Sequence, residues 1–322
     1  MQDTDIRNKF WAVGGGKGGV GKSIVTLMIG ASLSKLGNKV ILVDADLGGS
    51  NLHTLVGIRY PQYTLADFIG RKVETIDEVV INTPVDNMKI ICGADDILGM
   101  ANPKYAQKTR LLNHLKKLDA DYIILDLGAG TSFTTVDFFL YAPNKIVVLT
   151  PQVTSIQNAY GFIKASLFRH LNDVFSKDEQ AMELIRRAGS PAQGESIDSV
   201  GKLFDAFNAL GEERREKLLN CIDELKVKLI VNMVKDAKEK NVSSIVKAVA
   251  KNYLGIALED LGVVQFDNVL SASINNMADF LSNRRNSVAG TNFYDIASNI
   301  IKNCQKSAPP QPPVASVTPA AC

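Results

Sequence analysis

The chain has 322 residues, 46% of them hydrophobic, and 36 Lys+Arg against 34 Asp+Glu leave a formal net charge of +2. That apolar content is ample for a buried core in one large or two small domains, and the near-balance of charge excludes a global positive field of the kind that draws nucleic acid, leaving only a local basic patch open. Four cysteines, Cys92, Cys221, Cys304 and Cys322, lie far apart with no C-x-x-C spacing, which argues against an iron–sulfur or zinc site and against a disulfide framework.

Met1 to Lys9 is polar and lacks the apolar core of a signal peptide, and no apolar run reaches the length of a membrane span. The expectation is a soluble, cytoplasmic protein whose membrane contact, if any, is peripheral, at the inner face of the cell membrane. Phe10-Trp11-Ala12-Val13 then predicts a short buried strand. Gly16 to Ser23 follows as G-K-G-G-V-G-K-S, a complete G-x-x-x-x-G-K-[ST] phosphate-binding loop. Gly16, Gly18, Gly19 and Gly21 let successive backbone N–H groups turn inward around a phosphate, with Val20 between them, while Lys22 and Ser23 reach the β/γ-phosphates and a magnesium ion. Lys17 is an additional lysine just after the first glycine. Ser23 to Leu36 carries a helical apolar pattern and Gly37 supplies its stop. Strand, loop and helix coincide as a phosphate site requires, so a glycine-rich turn that binds nothing is rejected.

Short β-branched runs recur at Val40–Val43, Lys89–Cys92, Tyr122–Leu125, Ile146–Leu149, Lys228–Val231 and Leu261–Val264, alternating with helical patterns. This predicts a doubly wound α/β fold, a mostly parallel sheet with helices on both faces in three layers. Ligand-binding loops then gather at the carboxyl ends of the strands. After the second run stand Asp44 and Asp46, in D-A-D-L-G-G-S-N-L, and period-2 alternation aims both carboxylates to the same side. One can face an attacking water while the other supports a metal shell. Asp126, leading into L-G-A-G, fits the acidic strand end that holds magnesium through water; alone it would as readily be a helix cap.

Residues from about 171 to 225 form a charged helical stretch that reads as an insertion between sheet elements, better explained as a flap packed on the domain than as a partner surface. A Gly/Ser/Pro break interrupts it near Gly189 to Gly194. Residues 307–322 are too proline-rich to fold and predict a disordered tail, so the parsing is one domain over 1–306 plus that tail. His53, His114 and His170 show no ligand spacing and read as surface or packing residues, with His53 close to the first acidic segment.

Lys17 within its loop, D-A-D-L-G-G-S-N-L and L-D-L-G-A-G together resemble the MinD/ParA family of deviant Walker ATPases over nearly the whole domain. L-T-P-Q-V-T-S-I-Q-N-A-Y (Leu149 to Tyr160), V-N-M-V (Val231 to Val234) and the segment from Tyr253 to Asp267 are similar to the FlhG group of that family, regulators of flagellar number and placement. The resemblance implies a slow, magnesium-dependent, partner-stimulated ATPase with ATP and Mg2+ as cofactors. It implies that Lys17 reaches across a nucleotide-sandwich homodimer to the partner subunit's phosphates, that Asp46 orients the attacking water, and that Asp44 lies near the metal with Asp126 in its outer shell. Asn232 matches the family's adenine-contacting asparagine; as a bare residue it would equally be a backbone-capping turn residue. The implied partners are a second copy of the chain and a protein activator or cargo adaptor.

The loop begins within about fifteen residues of Met1, so the N-terminal activating helix that the FlhG group presents to its GTPase partner is not expected ahead of it. The last predicted helix, about Asn292 to Asn303, lacks the basic face of a membrane-targeting helix, so its Phe293, Ile296, Ile300 and Ile301 stripe is expected on the domain rather than on lipid. Gln265 stands where a proline often precedes the aromatic-Asp pair, and the substitution is expected to be tolerated. The leading expectation is an ATP-driven dimerisation switch that controls the placement or number of a cellular structure, the flagellum or the division site. The alternative is a DNA- or cargo-partitioning ATPase using Arg284-Arg285 as a local phosphate contact. An iron–sulfur carrier is disfavoured by the missing C-x-x-C, an amide ligase by the lack of a glutaminase nucleophile pattern, and a related kinase class by the lack of a tyrosine cluster in the tail.

Overall fold

The computed structural model describes residues 9–93, 103–189, 200–274, 277, 280, 281 and 287–306. At its centre is β1 (Phe10–Gly14), buried along its whole length. Because its side chains alternate, Phe10 and Ala12 enter the core on one face of the sheet and Trp11 and Val13 enter the core on the other. A strand apolar at every position is what a sheet covered on both faces demands.

Seven further strands complete one sheet: β2 (Val40–Ala45), β3 (Val80–Asn82), β4 (Met88–Ile91), β5 (Tyr122–Leu127), β6 (Asn144–Leu149), β7 (Val227–Val234) and β8 (Glu259–Gln265), in the order β3-β4-β2-β5-β1-β6-β7-β8. All the pairings are parallel except β3 with β4. The expected doubly wound α/β architecture is therefore present, and each expected strand run lies in or overlaps a strand. β3 went unread because three residues carry no period of their own. β2 and β5 also outlast their apolar runs, since Asp44 still pairs with Asp126 and Ala45 with Leu127 in the ladder.

The helix after the loop, α1 (Lys22–Lys35), ends as its sequence predicts: Gly37 takes the left-handed φ of 89°, and the Asn38 amide returns to the Leu33 carbonyl. Shorter helices α2 (Leu52–Leu55), α3 (Leu65–Ile69) and α4 (Tyr105–Leu115) precede β5, and α5 (Phe133–Tyr141), whose Ser132 hydroxyl caps the Thr135 amide at 3.2 Å, precedes β6. After β6 runs α6 (Val153–Val174), one continuous helix of 22 residues. The charged stretch expected from 171 thus begins only at its end, with α7 (Glu179–Gly189), α8 (Val200–Asn208) and α9 (Glu212–Glu224).

These helices pack as a flap on the core: the Phe175 and Phe207 rings meet edge to face at 5.3 Å, and Leu218 and Ile222 are buried in the same cluster. Arg214 of α9 binds Asp178, just before α7, at 2.6 Å. The remainder of the expected Gly/Ser/Pro break, Arg284-Arg285 and the proline-rich tail lie outside the described residues.

Beyond β7 the chain adds α10 (Val242–Leu254), α11 (Asn268–Ala272) and α12 (Val288–Lys306), the last longer than its apolar stripe suggested. Phe293, Ile296 and Ile300 are buried against α1 and β8, so the stripe belongs to the domain core as expected, with Ile301 at its margin. Gly262 of β8 makes room for this, because a Cβ there would press on the Ile296 side chain. No helix among the described residues is long and apolar enough to cross a membrane. Ile296→Ala should cost about 2–4 kcal/mol through lost burial and a residual cavity; urea unfolding would read this as a lower midpoint with an unchanged slope.

Candidate nucleotide-binding site

The phosphate loop leaves β1 under unusual crowding. A Cβ at Gly14 would meet the Phe162 ring of α6 at 2.9 Å, one at Gly15 would meet the Val148 carbonyl oxygen at 2.8 Å, and one at Gly16 would overlap the Asn158 carbonyl oxygen. Only glycine fits where backbone meets backbone this closely. Further on, Gly19 and Gly21 take φ of 79° and 90°, the left-handed turns that direct successive amides inward, and Val20 anchors the loop in the core. Gly21 is the N-cap of α1, so the loop ends on a helix N-terminus.

The two lysines of the loop sit differently. Lys22 is buried, its Nζ 3.5 Å from the Lys17 carbonyl oxygen, and burial lowers its pKa against the opposing pull of Asp126 and Asp46. Lys17 is exposed and donates to the Thr154 hydroxyl at 3.2 Å, at the start of α6.

Asp126 is fully enclosed at the end of β5, where burial pushes its pKa up to about 7 despite the Ser23 hydroxyl, Lys22 and the Thr26 hydroxyl, which donates at 3.2 Å. Asp44 is also buried and its pKa raised by that burial. Its oxygens accept from the Ser50 hydroxyl at 2.6 Å, the Leu52 amide at 2.9 Å and the Asp46 amide at 3.2 Å, so in this structure it braces the loop that follows β2. Regular alternation stops at Ala45, and the expectation of two carboxylates aimed alike gives way to a division. Asp46 is partly exposed, accepts from the Gly48 amide at 3.3 Å and lies against Gly128, where a Cβ would come within 2.9 Å of its Oδ1.

Asn232 reaches the loop from β7. The ladder with β8 shifts register between Val231 and Val234, and Met233 takes a left-handed φ of 60°, the mark of a bulge that re-aims its neighbours. Asn232 Nδ2 donates to the Val20 carbonyl at 2.9 Å and lies so near Gly21 that a Cβ there would overlap it. The structure thus brings Gly16 to Ser23, Asp44, Asp46, Asp126 and Asn232 to one end of the sheet.

Residues not singled out from sequence also shape the site: Thr26, a fully buried hydroxyl inside α1; Ser50; Thr154 and Asn158 at the head of α6; and Gly14 and Gly15 ahead of the motif. The one legible signal was the glycine triplet, since three in a row exceed what the motif needs. His53 is buried, with Nδ1 lacking a hydrogen-bond partner. His114 stacks edge-on against Phe68 and His170 pairs with Glu224 at 3.2 Å.

A ParA family model, described as NUBPL iron-transfer P-loop NTPase, matches residues 6–172. The chain is 34% identical over 199 residues to the antiactivator FleN of Pseudomonas aeruginosa, a match covering 61% of this chain and 68% of that one. It is 33% identical over 171 residues to the flagellum site-determining protein YlxH of Helicobacter pylori, covering 50% of this chain and about half, 55%, of the relative. Among solved structures, the septum site-determining protein MinD of Pyrococcus horikoshii, complexed with Mg-ADP, superposes with a TM-score of 0.63 at 17% identity, covering 93% of this chain and 98% of that one, a likeness of fold.

Asp126 carries a pH signature. Its folded pKa of about 7 lies above the ordinary 3.8, so its contribution is fully favourable below the unfolded value and is lost as pH rises through the folded one. Between pH 5 and 8, in the absence of nucleotide, the wild type should lose about 2–3 kcal/mol of stability that Asp126→Asn does not lose. Urea titrations of both proteins across that range would show the two curves diverging toward high pH.

Proposed function

The chain belongs to the ParA/MinD family of P-loop ATPases, and from that membership we propose that it is an ATP-driven dimerisation switch that sets the placement or number of a cellular structure, the flagellum or the division site. FleN and YlxH, its relatives by sequence, are named for antiactivation and for determining the flagellum site. The observation that carries the reading is the separation of the two loop lysines. Lys22 is buried beside the Asp126 and Asp46 charges, suited to its own subunit's phosphates, whereas Lys17 stands on the outer surface where a second copy would meet it.

In this proposal the loop amides from Gly16 to Gly21 and the α1 N-terminus hold the polyphosphate, with Lys22 and Ser23 on the β/γ-phosphates. Asn232 positions the loop through the Val20 carbonyl and offers its side-chain oxygen to the adenine amino group. The donor set fits a magnesium ion, because a buried carboxylate whose ionised form is disfavoured gains from a dication close by; Ser23, Asp44 and Asp126 are assigned to its surroundings. When bound, the ion supplies neutralisation of phosphate charge. Asp46, free enough to face solvent yet held over Gly128, orients the attacking water. Lys17 delivered in trans couples hydrolysis to association, so the bound nucleotide sets the oligomeric state.

A protein activator or cargo adaptor completes the switch. Peripheral membrane contact is not favoured, since the apolar stripe of α12 is committed to the core. DNA or cargo partitioning, the second reading, rests on Arg284-Arg285 outside the described residues. The iron transfer in the family description finds no C-x-x-C in this chain to carry it.

Lys22→Ala should abolish ATP binding in a titration with a fluorescent analogue, and unchanged affinity would reject the loop assignment. Asp46→Ala should keep that binding, lose hydrolysis by roughly a hundredfold or more, and accumulate as a dimer in light scattering with ATP and magnesium. Lys17→Ala should bind nucleotide yet stay monomeric; dimerisation and hydrolysis at wild-type levels would reject the trans-lysine sandwich.

A further inference from the structure

Between α6 and α7 lies a groove of about 450 Å3, within the range of roughly 300–1,000 Å3 typical of occupied clefts. Its apolar lining comes from Ala165 and Phe168 of α6 and from Met182 and Ile185 of α7, and methionine is the side chain that adapts most readily to a partner's shape. Lys164 and Arg186 also line it, with no carboxylate among the described lining residues, which end at Gly189. Lys164 lies over the Phe168 ring at 5.5 Å, and Arg186 also meets Glu183 one turn earlier on its own helix at 2.6 Å, an exposed pair of small worth.

Gly161 is the second, independent observation. It stands inside the longest helix of the described residues, where glycine weakens a helix relative to alanine, and nothing lies within 4 Å of where its Cβ would be. Unlike Gly14, Gly15 and Gly16, it is therefore not required by any contact within the described fold. It lines this groove, and its missing side chain lets another chain come close to the α6 backbone. The same helix reaches the phosphate loop at its head, through Asn158 against Gly16 and Thr154 against Lys17.

We propose that the α6–α7 groove is a docking site for an acidic amphipathic helix of a partner protein, whose apolar side chains enter between Phe168 and Met182, whose carboxylates meet Lys164 and Arg186, and whose backbone passes over Gly161. Helix-in-groove docking uses this combination of apolar anchors and a charged rim, the charges setting partner choice. Because α6 also touches the phosphate loop, an occupant bears on the nucleotide site through one rigid element. The inference deepens the switch proposed above by giving its protein partner a surface and a chemistry.

The test is binding without nucleotide, so that its failure is separate from failure of the ATPase reading. The probe is a dye-labelled synthetic helical peptide with leucines on one face and glutamates flanking them, compared with the same peptide carrying lysines in place of the glutamates. Fluorescence anisotropy should show the acidic peptide binding roughly tenfold or more tightly than the basic one, with the Met182 methyl resonance shifting on titration. Gly161→Gln, which favours the helix and fills the groove, should weaken the acidic peptide roughly tenfold while the circular dichroism and ATP affinity stay as in the wild type. Arg186→Glu should reduce or invert the charge preference. Absence of binding, equal affinity for both peptides, or indifference to Gly161→Gln would overturn the proposal. So would binding that appears only in Ile197→Ser, a change in the segment after Gly189 that lies outside the described residues, because the groove would then be a seat for the chain's own segment.

Discussion

Where the chain passes from β1 into the phosphate loop, its backbone runs directly against the carbonyls of Val148 and Asn158 and the ring of Phe162, with no space for a side chain. The position of the phosphate loop follows from that contact. It seats the loop on β6 and α6, which fixes how α1 leaves it and therefore where Lys22 and Ser23 point. It also makes α6 part of the site, because the helix that floors the loop presents Thr154 to Lys17. Asn232, reaching in from β7 beyond β6, clips the loop through the Val20 carbonyl.

Within this frame the charges are held uncomfortably. Burial lowers the pKa of Lys22 and raises that of Asp126, each toward its neutral form. Had mutual attraction governed, both would have moved the other way. Loss of water therefore outweighs pairing, and the site is organised for charges that arrive from outside rather than for its own ion pair. Asp44 differs in having three donors arranged around it, which ties the loop after β2 to the strand end and leaves Asp46 the more accessible of the two carboxylates.

The motif-bearing parts of the molecule were legible because their physics is local. A strand apolar at every position, glycines at left-handed turns and a helix closed by Gly37 each announce themselves within a few residues. The site's supporting contacts join positions far apart in the chain, as Thr26 with Asp126 and Asn232 with Val20 do, and single-residue patterns carry no trace of them. The division between Asp44 and Asp46 was hidden for another reason: it depends on where the strand stops, and Asp44 still holds its place in the ladder beyond the apolar run. The boundary expected at about residue 171 falls inside α6 because Arg169, His170 and Asp173, in its last turns, already carry the charged pattern of the flap that follows. β3 was missed because an edge strand of three residues is defined by its neighbour β4 rather than by its own composition.

The strand order carries a consequence for synthesis on the ribosome. β1 emerges well before its neighbours, β5 and β6: Phe10 pairs with Ile123 and Trp11 with Asn144. Until β6 and the first turns of α6 have left the exit tunnel, the nascent chain holds every letter of the phosphate motif without the two walls that shape it. Long-range parallel pairing of this kind is slow to form and leaves apolar strands waiting in the open. β1, with Phe10, Trp11 and Val13 on its two faces, is thus the segment that a nascent-chain chaperone would have most reason to shield, and the loop takes its shape only once β6 and α6 have followed it out.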